Sequence, residues 1–87
     1  MTAAAWKVPG VSVQPKEWAA NPYKRTVKYN GVNIRKGPST SYASKGQLQK
    51  GNVVTIYGYN NGYIQAWQCV YSAKHKFYGW IKKSAAF

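Results

Sequence analysis

The sequence predicts an all-β fold, a small barrel or sandwich of about five mostly antiparallel strands preceded by an irregular N-terminal arm. From residue 26 onward, short β-branched and aromatic runs alternate with Gly, Pro, Asn and Ser, which is typical of such folds. No stretch longer than a turn has helical periodicity. The 87 residues allow one domain at most, and 45% hydrophobic content indicates a packed chain rather than a disordered basic tail.

The first 25 residues differ in composition from the rest. They carry three of the 4 prolines and show no sustained period, which predicts a linker or irregular arm over residues 1–25. Trp6 and Trp18 are large for a pure linker, and the sequence leaves open whether they pack on the domain. Residues 26–87 are then expected to form the folded domain.

The first half of this domain contains three predicted strands. Alternation at residues 32–35 directs Val32 and Ile34 inward, and the GPSTSY stretch at 37–42 ends that strand with turn residues. A short run ending at Leu48 follows, and residues 53–59 (VVTIYGY) form the strongest strand. Strict alternation predicts one face with Val54, Ile56 and Gly58 and the opposite face with Val53, Thr55, Tyr57 and Tyr59.

The second half predicts two more strands joined by turns. Residues 60–62 (NNG) indicate a hairpin, since Asn and Gly accept the positive φ angles of tight turns. The returning strand at 67–71 alternates Trp67, Cys69 and Tyr71 with Gln68 and Val70. Residues 72–76 predict a second turn and 77–82 a last strand, in which a glycine at 79 indicates a bulge or a close backbone approach.

The charged residues exclude several kinds of active site. The chain has 13 Lys and Arg but a single acid, Glu17, for a net charge of +12. Paired-carboxylate hydrolysis and carboxylate-bound calcium or magnesium both need more than one acid. Cys69 and His75 are the only residues of their types, too few for structural zinc or an intrachain disulfide. We therefore expect no metal, no cofactor and no catalytic centre, with Cys69 packed as a thiol rather than paired with His75 as a nucleophile.

The sequence pattern predicts neither a membrane span nor a secretory signal peptide. No run of 18 apolar residues is present, so no membrane span is expected. The first ten residues lack the basic region and apolar stretch of a secretory signal peptide.

Three segments resemble the bacterial SH3 domains of wall-degrading enzymes and phage endolysins. Residues 32–42 (VNIRKGPSTSY) are similar to the family's LNVRSGPSTSY, nearly residue by residue. Residues 46–51 (GQLQKG) with 54–56 resemble its Gly-x-Leu-x-x-Gly and next strand, and 79–81 (GWI) its late Gly-Trp-Val. The resemblance covers residues 26–87, whereas the stretches at 61–66 and 72–76 are longer than the family's compact connections.

The resemblance implies an SH3-like barrel of about five strands that is noncatalytic and binds the bacterial cell wall. It implies the C-terminal targeting domain of a phage endolysin or autolysin, with a tethered catalytic domain as partner and an extracytoplasmic location at the wall. The ligand would be Gram-positive peptidoglycan or an associated anionic polymer, to which a +12 chain is attracted.

Six residues are candidates for ligand binding. Arg35 lies in the segment that matches the family, although its many donors also suit it to brace the neighbouring turn. The other five are aromatic residues expected near the turns, where binding residues commonly lie on a rigid scaffold. They are Tyr42, Tyr59, Tyr63, Trp67 and Tyr78.

The alternative function is nucleic-acid binding by an SH3-like barrel. Basic charge interleaved with Tyr, Trp and Phe is the general pattern of a surface that follows a phosphate backbone and stacks bases. This alternative leaves the similarity of residues 32–42 unexplained, so wall binding is the favoured hypothesis.

Overall fold

The computed structural model describes residues 7–60 and 67–87, which form a six-stranded antiparallel sheet and one short 3₁₀ helix. The all-β fold class is therefore confirmed. The elements are β1 (Glu17–Thr26), β2 (Val32–Arg35), β3 (Ser44–Leu48), β4 (Val53–Asn60), β5 (Trp67–Ser72), β6 (Phe77–Lys82) and the 3₁₀ helix Lys83–Ala85.

The strand order is β1-β4-β5-β6-β2-β3. Strands β4, β5 and β6 follow one another as a meander, and the β2-β3 hairpin joins its end where Arg35 pairs with Trp80. The chain reverses between β4 and β5 as expected, although the predicted turn residues 61 and 62 lie outside the described residues. The second predicted turn is confirmed at residues 73–76.

Strand β1 differs from the expectation that residues 1–25 are irregular. It pairs with β4 from Glu17 opposite Tyr59 to Thr26 opposite Val53. The pairing is interrupted, because Trp18 lies opposite Gly58 and Tyr23 opposite Ile56. Pro22 falls within this interruption, at the edge of the sheet, where a residue without an N–H is tolerated. The interruption removes the regular alternation, so the sequence pattern did not reveal the strand.

The main core fills one side of the sheet. The inward positions predicted for Val32 and Ile34 are confirmed, and Val54 and Ile56 share one face as predicted. Ile34, Leu48, Val54 and Ile56 are fully buried, and Val32 packs against them. Burying each such side chain stabilises the fold by about 1.5–3 kcal/mol. The remaining buried members are Val27, Val70, Ile81, Ala85 and Ala86.

A second apolar cluster lies on the other side of the sheet. Cys69 of β5 and Trp80 of β6 are fully buried there under Val8 of the N-terminal arm, which in the structure is the segment 7–16 before β1. Val11, Trp18, Trp67 and Tyr78 pack around these three residues. The arm therefore covers this face, and Trp18 packs on the sheet, while Trp6 lies outside the described residues.

A bulge in β4 corrects the predicted faces of that strand. Ile56 pairs with Val70 and Gly58 with Cys69, so Tyr57 is an extra residue between the two pairs. A bulge shifts the alternation that follows it. Gly58 therefore faces the arm, where an added Cβ would lie 2.6 Å from Pro15 Cβ, and Tyr59 packs against the main core. The prediction that Gly58 lies on the face of Ile56, and Tyr59 on the face of Tyr57, is wrong.

Candidate functional site

An open groove with a volume of about 260 Å³ lies between β2, the start of β5 and the end of β6. The side chains that give it chemical character are polar, aromatic or cationic. They are Tyr29, Asn33, Arg35, Thr40, Trp67, Lys82 and Ser84. Two of the six predicted binding residues, Arg35 and Trp67, lie in this groove.

Strand β6 brings these two residues together. Trp67, the first residue of β5, pairs with Lys82 on one side of β6, and Arg35, the last residue of β2, pairs with Trp80 on the other. Arg35, Trp67 and Lys82 therefore come from neighbouring strand ends of a rigid sheet. Such ends are common places for binding residues, because the scaffold fixes their positions.

The groove can hold a ligand that is both polar and partly flat. Trp67 and Tyr29 provide aromatic faces, and Tyr29 is 59% exposed. Arg35 and Lys82 provide positive charge, and the only acid in the chain, Glu17, does not line the groove. Aromatic faces pack on apolar sugar or side-chain surfaces, while cations and hydroxyls bind carboxylates and hydroxyl groups.

Arg35 also braces the turn that follows β2. Its Nη1 donates a hydrogen bond to the Tyr42 carbonyl at 3.0 Å. The Tyr42 ring lies against Gly37, where an added Cβ would be 2.6 Å from the ring. Arginine has five donors, so one bond to the turn leaves others for a ligand. Tyr42 itself packs within the turn and is not part of the groove lining.

Tyr59 lies near the other edge of the sheet. It pairs with Glu17 of β1, and its hydroxyl forms a 3.0 Å hydrogen bond with the Tyr23 hydroxyl. Burial, together with this bond, raises the pKa of Tyr59 to about 12. The residue is a packed link between β1 and β4 and does not line the groove.

Tyr78 lies on the arm side of the sheet in a cluster of three tyrosine rings. Its ring centroid is 5.5 Å from that of Tyr57 and 4.9 Å from that of Tyr71. The Lys45 ammonium donates to the carbonyls of Tyr78 and Gly10, at 2.5 and 2.9 Å. Burial raises the pKa of Tyr78 and lowers that of Lys45. Tyr78 does not line the groove, although it packs on the same apolar cluster as Trp67. Tyr63, the sixth candidate, lies outside the described residues.

Tyr29 is a groove residue that the sequence analysis missed. It precedes the Asn30-Gly31 turn that leads into β2, and Gly31 has a φ of 73°. Asn-Gly is a turn-forming dipeptide, and residues at turns on a rigid scaffold are common binding residues. That local signal was available in the sequence.

The fold and groove define a small all-β binding domain of the SH3-like kind. Residues 30–86 match the family described as the bacterial SH3 domain, and since this is more than half of the chain, the protein belongs to that family. The resemblance drawn from residues 32–42, 46–51 and 79–81 is thereby confirmed. Its members are generally noncatalytic modules of a cell-wall-binding kind. Neither the curated proteins nor the solved structures gave a match to this chain.

Residues 7–60 and 67–87 contain neither a candidate metal site nor a candidate membrane-spanning helix. No group of three or more His, Cys, Asp or Glu residues there is placed to hold a metal ion. No helix in the same part of the chain is long and apolar enough to cross a membrane.

Proposed function

We propose that this protein is a noncatalytic module that binds Gram-positive peptidoglycan through the groove containing Arg35 and Trp67. The observation that carries the proposal is this groove, which places aromatic faces beside two cations and three polar side chains. The family of the chain supports wall binding, and the groove supplies a place for a specific epitope.

Peptidoglycan offers the groups that these side chains can bind. Its stem peptides carry carboxylates, which Arg35 and Lys82 attract, and its glycan strands carry hydroxyl and acetamido groups that suit Asn33, Thr40 and Ser84. Trp67 and Tyr29 can pack on the apolar faces of either component. A ligand that uses several of these contacts gains orientation as well as affinity.

The wider role is to hold a tethered hydrolase, of the phage endolysin or autolysin kind, at its substrate outside the cytoplasmic membrane. Repeated wall epitopes raise the effective concentration of anything joined to a binding module. The net charge of +12 adds long-range attraction to the anionic wall, which increases the rate of encounter. Catalysis in this arrangement belongs to the tethered domain.

The test is sedimentation of the whole chain, fused to a fluorescent protein, with purified Gram-positive walls stripped of anionic polymer. Salt of about 0.5 M leaves a Debye length of only a few ångströms, so specific contacts dominate. We expect Tyr29→Ser and Lys82→Gln each to weaken binding about tenfold, the equivalent of one good contact. Tyr29 and Lys82 both line the groove and are exposed to solvent, so neither change disturbs the core.

The matched control is Lys74→Gln, which removes the same charge from an exposed position outside the groove. Equal loss in Lys82→Gln and Lys74→Gln contradicts binding at the groove. Failure of the unaltered chain to sediment with stripped walls contradicts peptidoglycan binding altogether. Binding to single-stranded nucleic acid, with a steep dependence on salt, is the result expected of the alternative function.

A further inference from the structure

A second surface, with different chemistry from the groove, lies at the C-terminal end of β1. It is a shallow depression with a volume of about 620 Å³, which we call the basic depression. Four cations line it: Lys24 and Arg25 of β1, Lys28 just after β1, and Lys50 in the turn between β3 and β4. The remaining lining residues are small or apolar.

Backbone hydrogen bonds fix the two walls of the basic depression against each other. Val27 N–H donates to the Asn52 carbonyl and Gly51 N–H to the Val27 carbonyl, both at 2.9 Å. Lys50 N–H donates to Asn30 Oδ1 at 3.0 Å. The turn that carries Lys50 is therefore held beside the segment that carries Lys28, and the spacing of the cations is set by the fold.

Two of the four cations are oriented by contacts within the protein. Arg25 Nε donates to the Ala86 carbonyl at 3.2 Å, and its guanidinium carbon lies 3.9 Å from the centroid of the Phe87 ring. The Lys28 ammonium donates to the Phe87 oxygen. Lys24 and Lys50 are exposed. Lys24 and Arg25 are consecutive residues of the edge strand β1, so their side chains point to opposite faces. An anion lying along this edge would be flanked by the adaptable Lys24 on one side and the anchored Arg25 on the other.

The one acidic side chain of the protein is too distant to neutralise this charge. Glu17 lies opposite Tyr59 of β4, whereas Lys24 lies opposite Thr55. Four residues along a strand correspond to about 13 Å. Because this exceeds the Debye length of about 8 Å at physiological ionic strength, Glu17 does not neutralise these cations.

The composition of the lining indicates which polyanion fits. Nucleic acids bind through phosphate contacts combined with stacking of bases on aromatic side chains. Among the described residues 7–60 and 67–87, the lining of the basic depression contains no aromatic residue, and the nearby Phe87 ring is covered by the Arg25 guanidinium. The depression therefore offers charge without a stacking surface, which suits a phosphodiester polymer that has no bases.

We propose that the basic depression binds the polyol-phosphate polymer of Gram-positive walls, as a second site separate from the peptidoglycan groove. This proposal rests on the proposed wall-binding function and adds a second ligand class to it. Lys24, Arg25 and Lys28 precede residue 30, where the match to the bacterial SH3 domain begins. The site is thus built largely by the part of this chain that lies outside the family match.

The experiment measures binding of the full chain to fluorescent poly(glycerol phosphate) by anisotropy over a range of salt concentrations. The test variant is Lys24→Gln with Lys28→Gln and Lys50→Gln. Its matched control is Lys16→Gln with Lys36→Gln and Lys74→Gln, which are exposed and do not line the depression. Both variants lower the formal net charge by three from +12, so they differ only in position.

We expect the test variant to bind at least about tenfold more weakly at physiological salt and to lose about 2 to 3 units of the log–log salt slope. The control should lose about twofold or less, since its charges are distant and screened. Thermal melting of each variant verifies that all are folded. Equal losses in the two variants overturn the proposal. So does tighter binding of a single-stranded oligonucleotide with the same number of phosphates.

Sedimentation with polymer-stripped walls separates this proposal from the function of the groove. The test variant should bind stripped walls as the unaltered chain does. If neither protein binds stripped walls while the loss of polymer binding remains specific to the test variant, the peptidoglycan proposal fails and the second site stands. If stripped walls are bound but the two triple variants bind the polymer alike, the second-site proposal fails and the peptidoglycan proposal stands.

Discussion

The indole Nε1 of Trp80 donates a hydrogen bond to the backbone carbonyl of Val13 at 3.0 Å. Trp80 lies in the middle of β6, so this bond joins the N-terminal arm to the centre of the sheet. The arm keeps its shape because the Gln14 side chain bonds both the N–H and the carbonyl of Val8, at 2.8 and 2.9 Å. Trp80 would otherwise have an unsatisfied buried N–H, which is costly in a packed interior.

The arm is therefore expected to contribute to the stability of the folded unit. Val8→Ala should lower the free energy of unfolding by about 2 kcal/mol, because Val8 is 2% exposed and packs on Cys69 and Trp80. Urea denaturation followed by tryptophan fluorescence measures the change. Val53→Ala is the matched control: this residue is 38% exposed, and its loss should cost less than about 1 kcal/mol. Equal costs would show that the arm does not pack in solution.

The Cys69 thiol should be unreactive in the folded protein. It is completely buried between the sheet and the arm, and only the thiolate form is a strong nucleophile. Burial raises the pKa of Cys69 to about 12, although the Lys45 charge acts in the opposite direction. Labelling with a thiol reagent at neutral pH should therefore follow the rate of global or arm unfolding. Labelling as fast as that of an unfolded control would contradict the described packing.

The same burial predicts a loss of stability at alkaline pH. The pKa of Cys69 is raised from 9.0 to about 12, so the unfolded chain releases this proton first as the pH rises. The stabilising contribution is fully present below pH 9 and is lost between 9 and about 12. The pKa values of Tyr59 and Tyr78 are both raised from 10.0 and act in the same direction, whereas the lowered pKa of Lys45 opposes the trend.

Cys69→Ala separates these contributions. Its free energy of unfolding, measured in urea at pH values from 7 to 11, should stay level to higher pH than that of the unaltered protein. The unaltered protein begins to lose stability near pH 9, and the variant should do so only near pH 10, where Tyr59 starts to titrate in the unfolded chain. Identical pH profiles would mean that the thiol does not titrate differently in the two states.

Arg35 should stabilise the turn after β2 independently of any ligand. Arg35→Lys keeps the charge but loses the geometry of the 3.0 Å bond to the Tyr42 carbonyl. A hydrogen bond of this kind is worth about 1 kcal/mol, so the Tyr42 amide, which donates to Ser39, should exchange with solvent about fivefold faster. Amide hydrogen exchange followed by NMR measures this. Lys36→Gln, a change at the next residue, should leave the Tyr42 amide unaffected.

The inner faces of the strands were predictable, because burial imposes a period of two on the sequence. Val32, Ile34, Val54 and Ile56 were placed correctly for that reason. The period fails at Tyr59, where a one-residue bulge after Ile56 turns the following side chains to the opposite face. A bulge is a property of the pairing between two strands, and the residue pattern of one strand alone does not predict it.

The candidate site was predictable only in part for a similar reason. Arg35 and Trp67 lie in one groove because both β2 and β5 pair with β6, a relationship across distant parts of the chain. Aromatic content identified candidates but did not say on which side of the sheet each would lie. Tyr59 and Tyr78 consequently do not line the groove. The hydroxyl of Tyr59 bonds that of Tyr23, and the ring of Tyr78 packs against those of Tyr57 and Tyr71.

The glycine at position 79 was expected to mark a bulge or a close backbone approach, and the structure shows a close approach. An added Cβ would lie 2.2 Å from Ile34 Cγ2 and 3.1 Å from the Arg35 carbonyl oxygen. Both atoms belong to β2, the strand that joins β6 beside this position. Gly79→Ala should therefore destabilise the fold by about 1–3 kcal/mol, the usual cost of forcing extra volume into a packed interior.

The measurement is urea denaturation of Gly79→Ala beside the control Gly46→Ala. At Gly46 the nearest atom to an added Cβ is Phe77 Cζ at 3.4 Å, an ordinary contact with the end of a side chain. That control should change stability by less than about 1 kcal/mol. Gly79→Ala should also weaken wall binding, because moving β2 away from β6 separates Arg35 from Trp67 across the groove. A Gly79→Ala protein as stable as the control would mean that β2 and β6 are farther apart in solution than the close approach requires.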